Sequence, residues 1–77
     1  MPSLKQLPAK DLIRILKKLG FEQTNIKGSH YRFVHADGRK TTVPVHENEP
    51  IGIGLLLKII RQDLKLRREE FERLMKD

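Results

Sequence analysis

The sequence has no cysteine. Disulfides and thiolate metal sites are therefore excluded, and a reducing compartment is compatible. It has no long apolar run: Leu55-Leu56-Leu57 stops at Lys58, far short of the ~18 consecutive apolar residues of a membrane span. Met1-Pro2-Ser3-Leu4-Lys5 lacks the apolar core of a signal peptide. There is no internal repeat and no low-complexity segment. We read a soluble, cytoplasmic protein with no membrane association. A chain of 77 residues buries only about 60% of its unfolded surface. We therefore expect one domain over 1–77, a small core and no cofactor.

Negative charge is scarce in one part only. Residues 1–46 carry nine basic and three acidic side chains, a net +6, while residues 47–77 carry seven of each. The positive field belongs entirely to the first part. It favours a polyanion, most simply nucleic acid, or an acidic protein partner. The same charge also fits a basic surface with no partner.

Local patterns divide the chain. Pro8 suits a first helical position, and Leu12, Ile13, Leu16 and Leu19 make one helix face from Ala9 onward. Asp11 lies in the first turn and Lys17 and Lys18 in the last, as the helix dipole favours, and Gly20 is a natural stop. Lys10, Arg14, Lys17 and Lys18 form the opposite stripe, which is either a solvated face or a track for phosphates. Residues 21–27, 29–35 and 40–46 read as strands. Asp37-Gly38 between the last two signals a hairpin, and Pro44 places the third strand at a sheet edge. After a loop over 47–54, ended by Gly52 or Gly54, Leu56, Ile59, Ile60 and Leu64 return to helical spacing over 55–64. A last helix over 67–76 buries Phe71, Leu74 and Met75, with Glu69–Arg73 and Glu72–Lys76 as favourable pairs.

The order α-β-β-β-α, with an appended helix, is an α+β fold. A three-stranded antiparallel sheet needs one face covered, and both main helices have one apolar face, so they should pack on one side and leave the other open. The two-residue period of a strand then places Phe33 and Tyr31 with Val43 and Val45 inward, and His30, Arg32, Val34, Pro44 and His46 on the open face. Phe21 and Ile26 have opposite parity, which calls for a bulge or an exposed Ile26. His35 shares the parity of Phe33 and should cap the hairpin edge.

Lys27-Gly28-Ser29-His30 is the stretch most like a site. The glycine lets the backbone bend, and His30 has an unperturbed pKa near ~6.5, suited to proton exchange. A strand histidine is more often a surface or packing residue, but this one follows a Gly-Ser turn, lies in the basic part and has Arg32 beside it. Ser29 as a nucleophile is disfavoured, because adjacent strand residues point to opposite faces. The three histidines have no metal-ligand spacing, so no metal is expected.

Leu19-Gly20-Phe21, Lys27-Gly28-Ser29-His30, His35-Ala36-Asp37-Gly38-Arg39, Val43-Pro44-Val45-His46, Gly54 and Glu69-Glu70-Phe71 follow one another in a set order and spacing. In these features the sequence resembles the HicA toxin family, small mRNA interferases of toxin–antitoxin pairs. The resemblance implies a fold like the double-stranded-RNA-binding domain, cleavage of RNA with the family's essential histidine at His30, and an inhibitory HicB antitoxin. The sequence departs from the family at Leu64-Lys65-Leu66, where a small polar or glycine-containing link is usual.

RNA supplies its own nucleophile, the 2′-hydroxyl. An enzyme must remove its proton, protonate the leaving 5′-oxygen and stabilise the extra charge between. Histidine suits either proton transfer, and Lys27, Arg32 and the backbone near Gly28 suit the third task. The candidate RNA contacts are Lys27, Gly28, Ser29 and Arg32, with Lys10, Arg14, Lys17, Lys18, Arg39 and Lys40. His46 is a possible auxiliary. If paired residues of the hairpin sum to 76 it lies opposite His30; if they sum to 74, Pro44 does. A non-catalytic double-stranded RNA binder and a basic protein-interaction module are the alternatives.

Overall fold

A computed structural model of the chain describes residues 6–76; residues 1–5, most of the expected lead-in, and residue 77 lie outside the described part. The elements run α1 (Ala9–Leu19), β1 (Glu22–Lys27), β2 (His30–Val34), β3 (Lys40–Pro44), α2 (Ile53–Lys58), a π-helical continuation (Ile59–Asp63) and α3 (Arg68–Lys76). This is the expected α+β order, with an antiparallel sheet in the order β1-β2-β3.

α1 ends as its sequence requires. Gly20 takes φ +100°, and the Phe21 N–H donates to the Leu16 carbonyl at 2.9 Å, closing the helix with a left-handed turn. The buried residues of α1 are Ala9, Leu12, Ile15 and Leu16. The expected face included Ile13 and missed Ile15. Both spacings are helical, and the approach of the sheet selects Ile15, leaving Ile13 half-buried at the rim.

The helices cover one face of β2 and β3. Phe33 and Val43 are wholly buried with Leu12, Ile15, Leu16, Leu56, Ile59, Ile60, Leu64 and Phe71. β1 buries nothing, since all six of its residues are exposed. Its pairing with β2 slips between Gln23 and Asn25, so Thr24 is the extra residue of a bulge. The bulge resolves the parity conflict in this strand. It brings Ile26 opposite Tyr31 on the helix side, yet no helix reaches that far and Ile26 stays 47% exposed.

Two segments differ from their sequence reading. Leu7 and Ile51 exchange backbone hydrogen bonds of 3.2 and 2.7 Å and are both buried, so the lead-in and the long loop form a small bridge. The second helix begins early, with Gly52 as its N-cap, and widens at its end, where the Leu64 N–H donates to the Ile59 carbonyl at 2.8 Å. Lys65 then takes φ +56°, and the Leu66 N–H donates to the Ile60 carbonyl at 2.9 Å. The departing link thus acts as a helix stop without glycine. At α3, Glu70 accepts the Arg67 N–H at 3.1 Å, one half of a capping box. The ion pair within α3 is Arg68–Glu72 at 3.3 Å, rather than Glu69–Arg73 or Glu72–Lys76.

Candidate active site

Lys27 pairs with His30 across a two-residue turn. Gly28 has φ +61°, and Ser29 does not share that sign, the pattern of a type II′ hairpin with glycine first. A Cβ on Gly28 would meet nothing within 4 Å, so the backbone angle asks for glycine there, not a shortage of space. His30 is exposed at the start of β2. Among the described residues its imidazole has no hydrogen-bonding partner. Arg32 stands two residues along the same face, and Lys27 stands directly across. The outward residues of β2 and β3 are His30, Arg32, Val34, Lys40, Thr42 and Pro44, with no carboxylate among them. Of β1, Lys27 and Asn25 share this face near His30 and Arg32, and Glu22 shares it at the far end opposite Val34, so an anion approaching His30 meets Lys27 and Arg32.

Register decides the place of His46. His30 pairs with Pro44 and Val34 with Lys40, so paired residues sum to 74. β3 ends at Pro44, and His46 lies beyond it in a turn, bridged to Glu49. The structure therefore does not bring the two histidines opposite each other.

The other end of β2 is built differently. His35 is half-buried, and its Nε2 lies 3.0 Å from the Leu19 carbonyl. A carbonyl only accepts, so Nε2 carries the proton, and Nδ1 accepts the Asp37 N–H at 3.0 Å. The ring meets Phe21 edge-on at 5.1 Å. Arg39 lies over the same Phe21 ring at 5.3 Å, donates to Asp37 Oδ2 at 2.8 Å and donates to the Leu64 carbonyl at 2.7 Å. Thr41 donates to Asp63 at 2.9 Å. The Arg39 N–H holds the Asp37 carboxyl below its ordinary value against the opposing effect of desolvation, and the Arg39 guanidinium and then His35 add to the lowering. This cluster ties the end of α1, the hairpin and the end of the π-helical turn together.

The expected RNA contacts thus fall into three groups. Lys27, Arg32 and Lys40, with the Gly28-Ser29 turn, border the open face that carries His30. Lys10, Arg14, Lys17 and Lys18 are exposed on α1, in the helix layer on the other side of the sheet. Arg39 is committed to the fold through its bonds to Asp37 and Leu64. The sequence reading missed this last role. Asp37, two residues before Arg39, signals a local side-chain turn, but no pattern points to a carbonyl 25 residues away.

Among the described residues, no three His, Asp or Glu side chains come together as a metal-binding set. No helix there is long and apolar enough to cross a membrane. The sequence model of a family described as the HicA toxin of bacterial toxin–antitoxin systems matches residues 9–63. That is well over half of the chain, and the chain belongs to the HicA toxin family. The match spans α1 to the π-helical turn, so α3 lies outside it. No curated protein matches the sequence.

Proposed function

We propose that this member of the HicA toxin family is an endoribonuclease that cleaves mRNA by metal-independent acid–base chemistry at His30, and that a HicB-like antitoxin neutralises it. The observation that carries this reading is the setting of His30: a free imidazole on an exposed sheet face, flanked by Lys27 and Arg32, beside an open glycine turn. His30 takes the proton from the 2′-hydroxyl or gives one to the departing 5′-oxygen. The 2′-oxygen bonds to phosphorus as the bond to the 5′-oxygen breaks, leaving a 2′,3′-cyclic phosphate. Lys27, Arg32 and the turn amides of Gly28 and Ser29 offset the charge that builds on the phosphoryl oxygens. Lys40 extends the grip on neighbouring phosphates, and the α1 cations, in the helix layer, engage RNA that passes round the edge of the sheet. An acidic antitoxin surface laid on the open face would block His30 and use the same cations. The substrate places this activity in the cytoplasm, and we take the whole chain as one toxin domain.

Purified protein incubated with labelled RNA, with and without EDTA, separates the readings. Cleavage that survives EDTA supports ours. Retention without cleavage makes the chain a non-catalytic RNA binder, and neither outcome leaves a protein-interaction module. Binding should weaken with salt by about 0.7 log units for each counterion released from a single strand, per tenfold rise in salt.

A further inference from the structure

We propose that the groove between the start of α1 and the turn after β3 is a nucleobase subsite, taking the base next to the phosphate held at His30 and selecting guanine. The inference rests on the ribonuclease reading and adds to it the contact that sets sequence preference.

The open sheet face offers no Phe, Tyr or Trp to a base, because Tyr31 and Phe33 turn toward the helices. Its two side chains able to stack, His30 and Arg32, are engaged with the phosphate in the ribonuclease reading. Backbone cations grip RNA of any sequence, and single-stranded RNA is read by stacking bases and bonding their edges. Such a place exists just past the end of β3. The Val45 N–H donates to the Ser29 carbonyl at 2.7 Å, which fixes Val45 against the residue before His30. The chain then turns back, with the Glu49 N–H donating to the His46 carbonyl at 3.1 Å and Asn48 in the left-handed region at φ +62°. This turn faces the start of α1 across a groove of about 500 Å³, within the ~300–1,000 Å³ usual for small-ligand sites. Pro8, Val45 and Pro50 supply apolar walls, and Lys10, His46 and Glu49 supply the polar rim.

The Val45–Ser29 bond sets the proximity: Ser29 precedes His30, and Val45 lines the groove. The rim matches one base edge best. Guanine presents a carbonyl oxygen beside two adjacent N–H donors. The Glu49 carboxylate accepts from the two donors, and His46 or Lys10 donates to the carbonyl. Uracil offers one N–H between two carbonyl oxygens, and both would face the carboxylate. A carboxylate beside an RNA backbone is otherwise a source of repulsion, which reading a base edge converts into selection. His46, displaced from the His30 site by register, has a role here.

The test uses the ¹⁵N-labelled chain titrated with guanosine 3′-monophosphate and with uridine 3′-monophosphate. The guanosine nucleotide should shift the amides of Val45, His46 and Glu49 and bind about tenfold more tightly, and Glu49→Gln should remove the difference. Equal affinities for wild type, or shifts confined to the His35 hairpin, overturn the proposal. Cut sites are then mapped on a random-sequence RNA. Wild type should cut beside guanine, Glu49→Gln should spread its cuts over all bases, and Glu47→Gln, outside the groove, should keep the wild-type map. A map unchanged in Glu49→Gln also overturns it. Guanosine selectivity in a protein that cuts no RNA would keep the guanine site and remove the ribonuclease reading; cleavage without that selectivity would do the reverse.

Discussion

His30 opens β2 and His35 follows its last residue, yet the two ends of this strand are organised in opposite ways. At His30 the turn is open, Gly28 has free space around it, and the imidazole has no partner among the described residues. At His35 both ring nitrogens are engaged and the ring packs on Phe21. A cation stands near each, but Arg32 is exposed while Arg39 is bonded into the fold. An imidazole whose nitrogens both hold hydrogen bonds cannot exchange a proton with a substrate without breaking one. One end of the sheet is left open to solvent, and the other carries the attachment to the helices.

The largest expected effect separates the two histidines. His30→Ala should slow RNA cleavage by about 10²–10⁴-fold and leave the melting temperature unchanged. His35→Ala should do the opposite. It loses about 1–3 kcal/mol of stability, read as a melting temperature several degrees lower, with cleavage per folded molecule retained. A stable His35→Ala protein without activity would break the comparison.

The arginines sharpen it. Arg39→Ala should cost about 1–3 kcal/mol. Its effect should combine with that of His35→Ala less than additively, because both act through Phe21 and Asp37. Arg32→Ala should melt like wild type and reduce the salt slope of RNA binding by about one phosphate contact.

The glycines come next. Gly20→Ala meets two obstacles, φ +100° and a Cβ 3.1 Å from His35 Nε2, and should cost about 1–2 kcal/mol. Gly28→Ala meets only the backbone angle and should cost less in chemical denaturation. A larger loss at Gly28 would contradict the picture of an open turn.

Acid titration should distinguish the ends as well. The folded pKa of Asp37 is held below 3.8. Its contribution to stability is therefore complete above the unfolded value and is lost as pH falls through the folded one. Asp37→Asn should be less stable than wild type at neutral pH, with the gap closing below about pH 4. Melting curves across the acid range measure this, and a gap that does not close would remove the Asp37 carboxylate from the clamp. The smallest effect is expected beside the Arg39 contact to Leu64. Lys65→Gly should stabilise by about 0.5–1 kcal/mol, since Lys65 holds a positive φ.

Much of the site was legible because it depends on local pattern. The Gly-Ser turn, the exposure of His30 and its shared face with Arg32 all follow from strand period and turn chemistry. Arg39 was not legible. As a sequence symbol it matches Arg32, and only its reach to the Leu64 carbonyl makes it a clamp. His46 was undecided for a different reason. Hairpin sums of 74 and 76 leave every side chain on the same face, so hydrophobic alternation cannot tell them apart.

The sequence by itself determined the order of elements, the apolar faces, the basic first part and the histidine on the open face, since each is written in spacings of a few residues. Tertiary structure decided the bulge at Thr24, the pairing of Leu7 with Ile51, the burial of Ile15 over Ile13 and the register that sends His46 to a groove with α1. Each of these compares local alternatives of nearly equal cost, and the choice falls to contacts between residues far apart in the chain.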